Sequence, residues 1–146
     1  MHYRRDFVRH ALAAFVTGVP MLAAWAQTAA NMDGRLDMLF GAHAPYRVFL
    51  ERLQAAVAAD DRAGVAALAA YPLNAHLGSK KVTVRDAKRF IADYDRLLSP
   101  RVKAAIARQT YANLFANAQG VSVGDGELWF SGVGRDAIVR IIAING

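Results

Sequence analysis

The last quarter of the chain constrains the fold more than any other part. From Leu114 it reads LFANAQGVSVGDGELWFSGVGRDAIVRIIAING, rich in Val, Ile, Phe and Trp and broken at short intervals by Gly and Asp. Branched and aromatic side chains suit a pleated surface, and Gly and Asp suit the turns between strands. Asp125-Gly126, set between Val-Ser-Val and Glu-Leu-Trp-Phe, predicts a two-residue hairpin turn. Gly132 to Asp136 predicts a second turn, and Ala137 to Ile144 a last strand. Helical patterns dominate before this run, so the class is α+β. N-terminal helices are expected to pack on one face of an antiparallel sheet.

The helical part starts at Pro45, suited to a first helical position. Tyr46, Phe49, Leu50, Leu53 and Val57 then recur on one face. Asp60-Asp61 caps a second helix with Val65 and Leu68, which ends before Tyr71-Pro72. Residues 71–76 and 80–84 read as short strands around Gly78. Thr83 to Asp86 has capping-box spacing, and Phe90, Ile91, Tyr94, Leu97 and Leu98 follow as the stripe of one amphipathic helix. Ser99-Pro100 restarts a helix as cap and first residue.

The amino terminus reads as an export leader. Arg4, Arg5 and Arg9 precede an uncharged run from Ala11 to Ala24, and Ala24-Trp25-Ala26 offers small residues for cleavage after Ala26. The run is shorter than the ~20 residues of a membrane-spanning helix and holds Gly18 and Pro20, so no stable anchor is expected. Arg4-Arg5-Asp6-Phe7-Val8-Arg9 resembles the twin-arginine signal, with Tyr3, Val8 and Arg9 departing from its commoner residues. That resemblance implies export of a folded domain; a general secretory leader is the alternative. Removing residues 1–26 leaves 120 of 146, with 15 basic and 11 acidic side chains. Residues 27–44 read as a mobile lead-in with at most a short helical turn, and residues 45–146 as a single α+β domain. The sequence contains no cysteine, which excludes disulfides, thiol nucleophiles and cysteine-held metal or iron–sulfur sites.

Helices, then YPL, then FIADYDRLLSP, GVSVGDGELWF and a final RIIAIN resemble a group of small exported bacterial proteins of unknown function. The fold that the resemblance implies is the nuclear-transport-factor-2-like, or ketosteroid-isomerase-like, cystatin-like cone, a curved antiparallel sheet wrapped around the N-terminal helices. That fold hosts isomerases, dehydratases and non-enzymatic binding modules, so it implies no single activity.

Few residues carry chemistry. Gly120-Val121-Ser122-Val123-Gly124 fits a nucleophile elbow in letters, but a second strand follows instead of a helix, and no histidine comes later. His43 and His76 have no carboxylate or histidine at ligand spacing, so no metal site is expected. Asp93-Tyr94-Asp95 is the most enzyme-like cluster: a carboxylate and a phenol at a cone mouth could act as base and donor. The other reading puts Tyr94 in the core and both carboxylates in water. Arg140 lies between Ile138 and Ile142, either as an anion hook inside a cone or as a solvated outer residue. Trp129 alternates with Leu128 and Phe130, so an aromatic faces outward, for ligand binding or for a homodimer through the sheet. Residues 80–108 hold nine basic side chains against three aspartates. They form either a solvated face or a surface for an acidic partner; export argues against nucleic acid.

The expectation is an exported, periplasmic or secreted protein without a cofactor, binding a small molecule or a protein partner. An isomerase- or dehydratase-like enzyme and an inhibitor or immunity-type protein are the alternatives. Replacing Arg4 and Arg5 with Lys is expected to remove the mature protein from the periplasmic fraction. Undiminished periplasmic protein would assign the leader to the general secretory route.

Overall fold

A computed structural model describes the backbone of residues 21–146 and the side chains from residue 29 onward. The leader expected over residues 1–26 lies outside the residues described in full, its arginine pair wholly so.

The expected lead-in is a helix. α1 runs from Met21 to Phe40, and Met32 and Leu36, four residues apart, are buried in the core. Asn, Asp and Gly in this stretch lower helix propensity, but packing outweighs such small local terms. α2 (Ala44–Ala58) carries Pro45 in its first turn and buries Tyr46, Phe49, Leu50 and Leu53, the stripe expected from the spacing. α3 (Arg62–Ala67) is capped by Asp61, whose carboxylate accepts from Gly64 N at 3.0 Å.

Next come β1 (Ala69–Leu77) and β2 (Lys80–Val84), joined by a hairpin at Gly78 with φ +63°. Thr83 belongs to β2, so the expected box at Thr83–Asp86 does not form. Asp86 is the cap instead, accepting from Arg89 N at 2.8 Å. The single helix expected behind it is two, α4 (Ala87–Ala92) and α5 (Tyr94–Leu97), broken at Asp93. The break swings the stripe: Phe90, Tyr94, Leu97 and Leu98 are buried, whereas Ile91 is 39% exposed. α6 (Pro100–Arg108) starts at Ser99, whose hydroxyl accepts from Val102 N.

After a 3-10 turn at Tyr111–Asn113 come β3 (Phe115–Asn117), β4 (Gly120–Val123), β5 (Leu128–Val133) and β6 (Ile138–Asn145). The sheet has six strands in the order β2-β1-β6-β5-β4-β3 and is open. It is mixed, not antiparallel throughout: β1 and β6 run parallel. The sequence shows strand patterns but not which neighbour a terminal strand chooses, and β6 inserts between the two hairpin systems. Their register shifts between Ala69 and Asn74, and Pro72 falls in that gap, where no ladder N–H is asked of it.

The β4–β5 turn lies where Asp125-Gly126 predicts it, but the loop has four residues. Val123 pairs with Leu128, and positive φ falls on Gly124 (+60°) and Gly126 (+102°). The helices cover one face of the sheet. Phe49 stacks on Phe130 with ring centroids 4.8 Å apart, and Phe90 meets Tyr94 and Tyr71 edge-on.

Phe90→Ala is expected to cost about 3–5 kcal/mol through the cavity it leaves. Ile91→Ala, one residue along but solvated, is expected to cost less than about 1 kcal/mol. Chemical denaturation of both variants measures the contrast, and equal losses would show that α4 does not carry the core.

Candidate functional site

The structure gives Asp93, Tyr94 and Asp95 three separate environments. Asp93 accepts from Arg89 Nε at 2.7 Å, the pair expected from their spacing, and its side chain is only 12% exposed. Asp95 is solvated and bridges to Arg62 at 3.1 Å. Tyr94 is fully buried and belongs to the core. The Arg62 guanidinium lies 4.8 Å from its ring centroid and the Lys103 ammonium 5.4 Å, so two cations rest on one phenol. Its hydroxyl has no hydrogen-bond partner among the described residues. Burial, with Asp60 second, holds the Tyr94 pKa above the ordinary phenol value, while Arg62 pulls against them.

Ser122 sits mid-strand on the outer sheet face, buried beneath its cross-strand neighbours Phe115 and Trp129. Trp129 is half-buried and meets Phe115 edge-on at 6.1 Å. His76 shares a hydrogen bond with Asn145.

His43 does have carboxylate partners, contrary to its isolation in the sequence. Its Nδ1 lies 2.8 Å from Asp37 and its Nε2 3.7 Å from Asp33. Asp33 also accepts from the Tyr111 hydroxyl, and the Arg47 guanidinium lies 4.8 Å from the Tyr111 ring centroid. Burial and the Asp33 bond push the Tyr111 pKa well above the ordinary phenol range. These contacts tie α1 to α2 and to the turn before β3. The sequence does not announce them, because residues 27–44 read as a mobile lead-in with at most a short helical turn. Among the described residues, no group of three or more His, Asp or Glu lies close enough to hold a metal ion.

Glu127 is also not singled out by the sequence. It is a buried carboxylate inside a hairpin loop, accepting from Asp125 N at 2.6 Å and pairing with Arg101 at 3.5 Å. Gly124 lies so close to Glu127 that a side chain there would collide with its carboxylate. Its partners mark Glu127 as a turn lock, and its sequence signal was only a Glu next to Asp-Gly.

Arg140 points to the outer face and is half-buried. Its Nη1 donates to Ala67 O at 2.9 Å, at the carboxyl end of α3. It borders two open grooves. One, of about 450 Å³ between α2 and the start of β6, is lined by Val48, Phe49, Arg52, Leu68, Asp136 and Ile138 as well. The other, of about 470 Å³, has mostly alanine walls with Tyr71 and Val133. Tyr71 donates to Ala66 O at 2.6 Å, and burial pushes its pKa up to about 12. Neither Arg52 nor Arg140 forms an ion pair among the described residues.

Comparison with protein-family models, with curated proteins and with solved structures finds no match to this chain.

Tyr94→Phe deletes a buried hydroxyl that bonds to none of the described residues, so folding stability is expected to stay level or rise by up to about 1–2 kcal/mol. A loss greater than 1 kcal/mol in urea titration would show that the hydroxyl has a partner.

Proposed function

We propose that this chain is an exported binding protein that holds a small ligand or a partner on its surface. One observation carries the reading. The space between helices and sheet is filled by Phe49, Leu53, Phe90, Tyr94, Ile106 and Phe130, while grooves with apolar walls and unpaired cations lie open outside it. The nuclear-transport-factor-2-like cone belongs to the same proposal, supported by the element order and by helices gathered on one face of an open sheet. An enzyme working through Asp93, Tyr94 and Asp95 has less support, because Arg89 holds one carboxylate, Arg62 the other, and the phenol between them is buried. Export rests on the leader. No helix of the described residues is long and apolar enough to cross a membrane.

The protein purified from the periplasm and sprayed under native conditions is expected to carry a mass absent from the denatured chain. A native mass equal to the bare chain, with nothing recovered by organic extraction or cross-linking, would remove the binding reading.

A further inference from the structure

Six large hydrophobic side chains are exposed among the described residues, and three of them line the two grooves that meet at Arg140. Val48 (44%) and Ile138 (53%) flank the α2–β6 groove, and Val133 lines its neighbour. Scattered exposed hydrophobes need no account, but a cluster beside a concave surface marks a contact site. The α2–β6 groove has the size of a small-molecule site, which spans ~300–1,000 Å³.

Its charges define the ligand further. Arg52 is solvent-exposed and Arg140 is engaged only by a carbonyl, so both guanidiniums keep donors for an anion. Asp136 lines the same groove and pairs with neither. Two cations and one carboxylate leave the groove one positive charge, which a monoanion neutralises. A dianion would carry a second negative charge towards Asp136. The walls between these charges are aliphatic and aromatic, so the body of the ligand is apolar.

Resting on the surface-binding reading, we infer that the α2–β6 groove takes an amphipathic monocarboxylate, its head on Arg52 and Arg140 and its apolar chain along Val48, Phe49 and Ile138. Arg140 then has two duties, holding Ala67 in place and presenting the anion site, whereas Arg52 has only the second.

The test is calorimetric titration of the mature protein with decanoate, decanol and decyl phosphate, each below its micelle concentration. Decanoate is expected to bind most tightly. Arg52→Gln is expected to weaken it about ten-fold or more while leaving decanol unchanged, since a bond to a charged group is worth at least one such factor. Arg140→Gln is expected to do the same, with its fold checked by circular dichroism, and Arg85→Gln, on an exposed residue away from the groove, should change nothing. Equal affinity for decanoate and decanol, or unaltered affinity in Arg52→Gln, would overturn the carboxylate assignment. Tighter binding of decyl phosphate would overturn the monoanion assignment. If no probe binds while the native protein carries a different co-purified molecule, this inference falls and the surface-binding reading stands. If neither binds, both fall.

Discussion

The parallel pairing of β1 with β6 is the contact on which the remaining structure depends. Residues 69–77 meet residues 138–145 there, so the hairpin β1–β2 and the meander β3–β6 become one sheet only at this seam. The helical layer depends on it too. Leu73 and Ala75 from β1, with Ile141 and Ile144 from β6, form the floor beneath Phe90, Tyr94 and Leu97. The backbone bonds from Ile141 N to Leu68 O and from Gly146 N to His76 O fasten both ends of the seam. Such a contact is long in sequence, and its closure entropy must be met before the pairing stabilises anything. The chain therefore cannot complete its core until β6 is present.

The outer grooves follow from the same seam. Arg140 stands just before Ile141, the first β6 residue paired with β1, and from there it reaches over to the end of α3. That reach places a cation between two concave surfaces.

Much of the architecture was legible in the sequence, and the reasons differ by element. Tyr46, Phe49, Leu50 and Leu53 marked α2 because one face repeats every three or four residues. Asp61 and Ser99 marked helix starts because their side chains satisfy otherwise unbonded amides. The register and neighbour of β6 were not legible, since strand pairing depends on residues seventy positions away. Asp86 rather than Thr83 caps α4 because Thr83 is claimed by the β1–β2 ladder, a tertiary contest that local spacing cannot judge. α1 stayed hidden for a similar reason: its anchors are Arg35 to Ala116 and Asp33 to Tyr111, bonds that cross the whole chain. Of the candidate site, Arg140 was visible as a charge among isoleucines. Arg52 and Asp136 looked like ordinary surface residues, because only the packing of α2 beside β6 brings them to one groove.

An open sheet has two edges, and this one guards them unequally. β2 presents Lys80 and Lys81 at its exposed rim, where charge alone discourages another strand. β3 has no such charge, and its exposed Phe115 makes it the more adhesive edge. Its protection is Arg35, whose Nε and Nη2 both donate to Ala116 O at 2.9 and 2.6 Å, occupying an acceptor that a foreign strand would need. α1 thus acts as a stopper as well as a layer of the core. Its departure would open that acceptor to chain-to-chain pairing and also strip Met32 and Leu36 from the core, so the fate of this helix bears on the protein's colloidal lifetime as well as on its melting point.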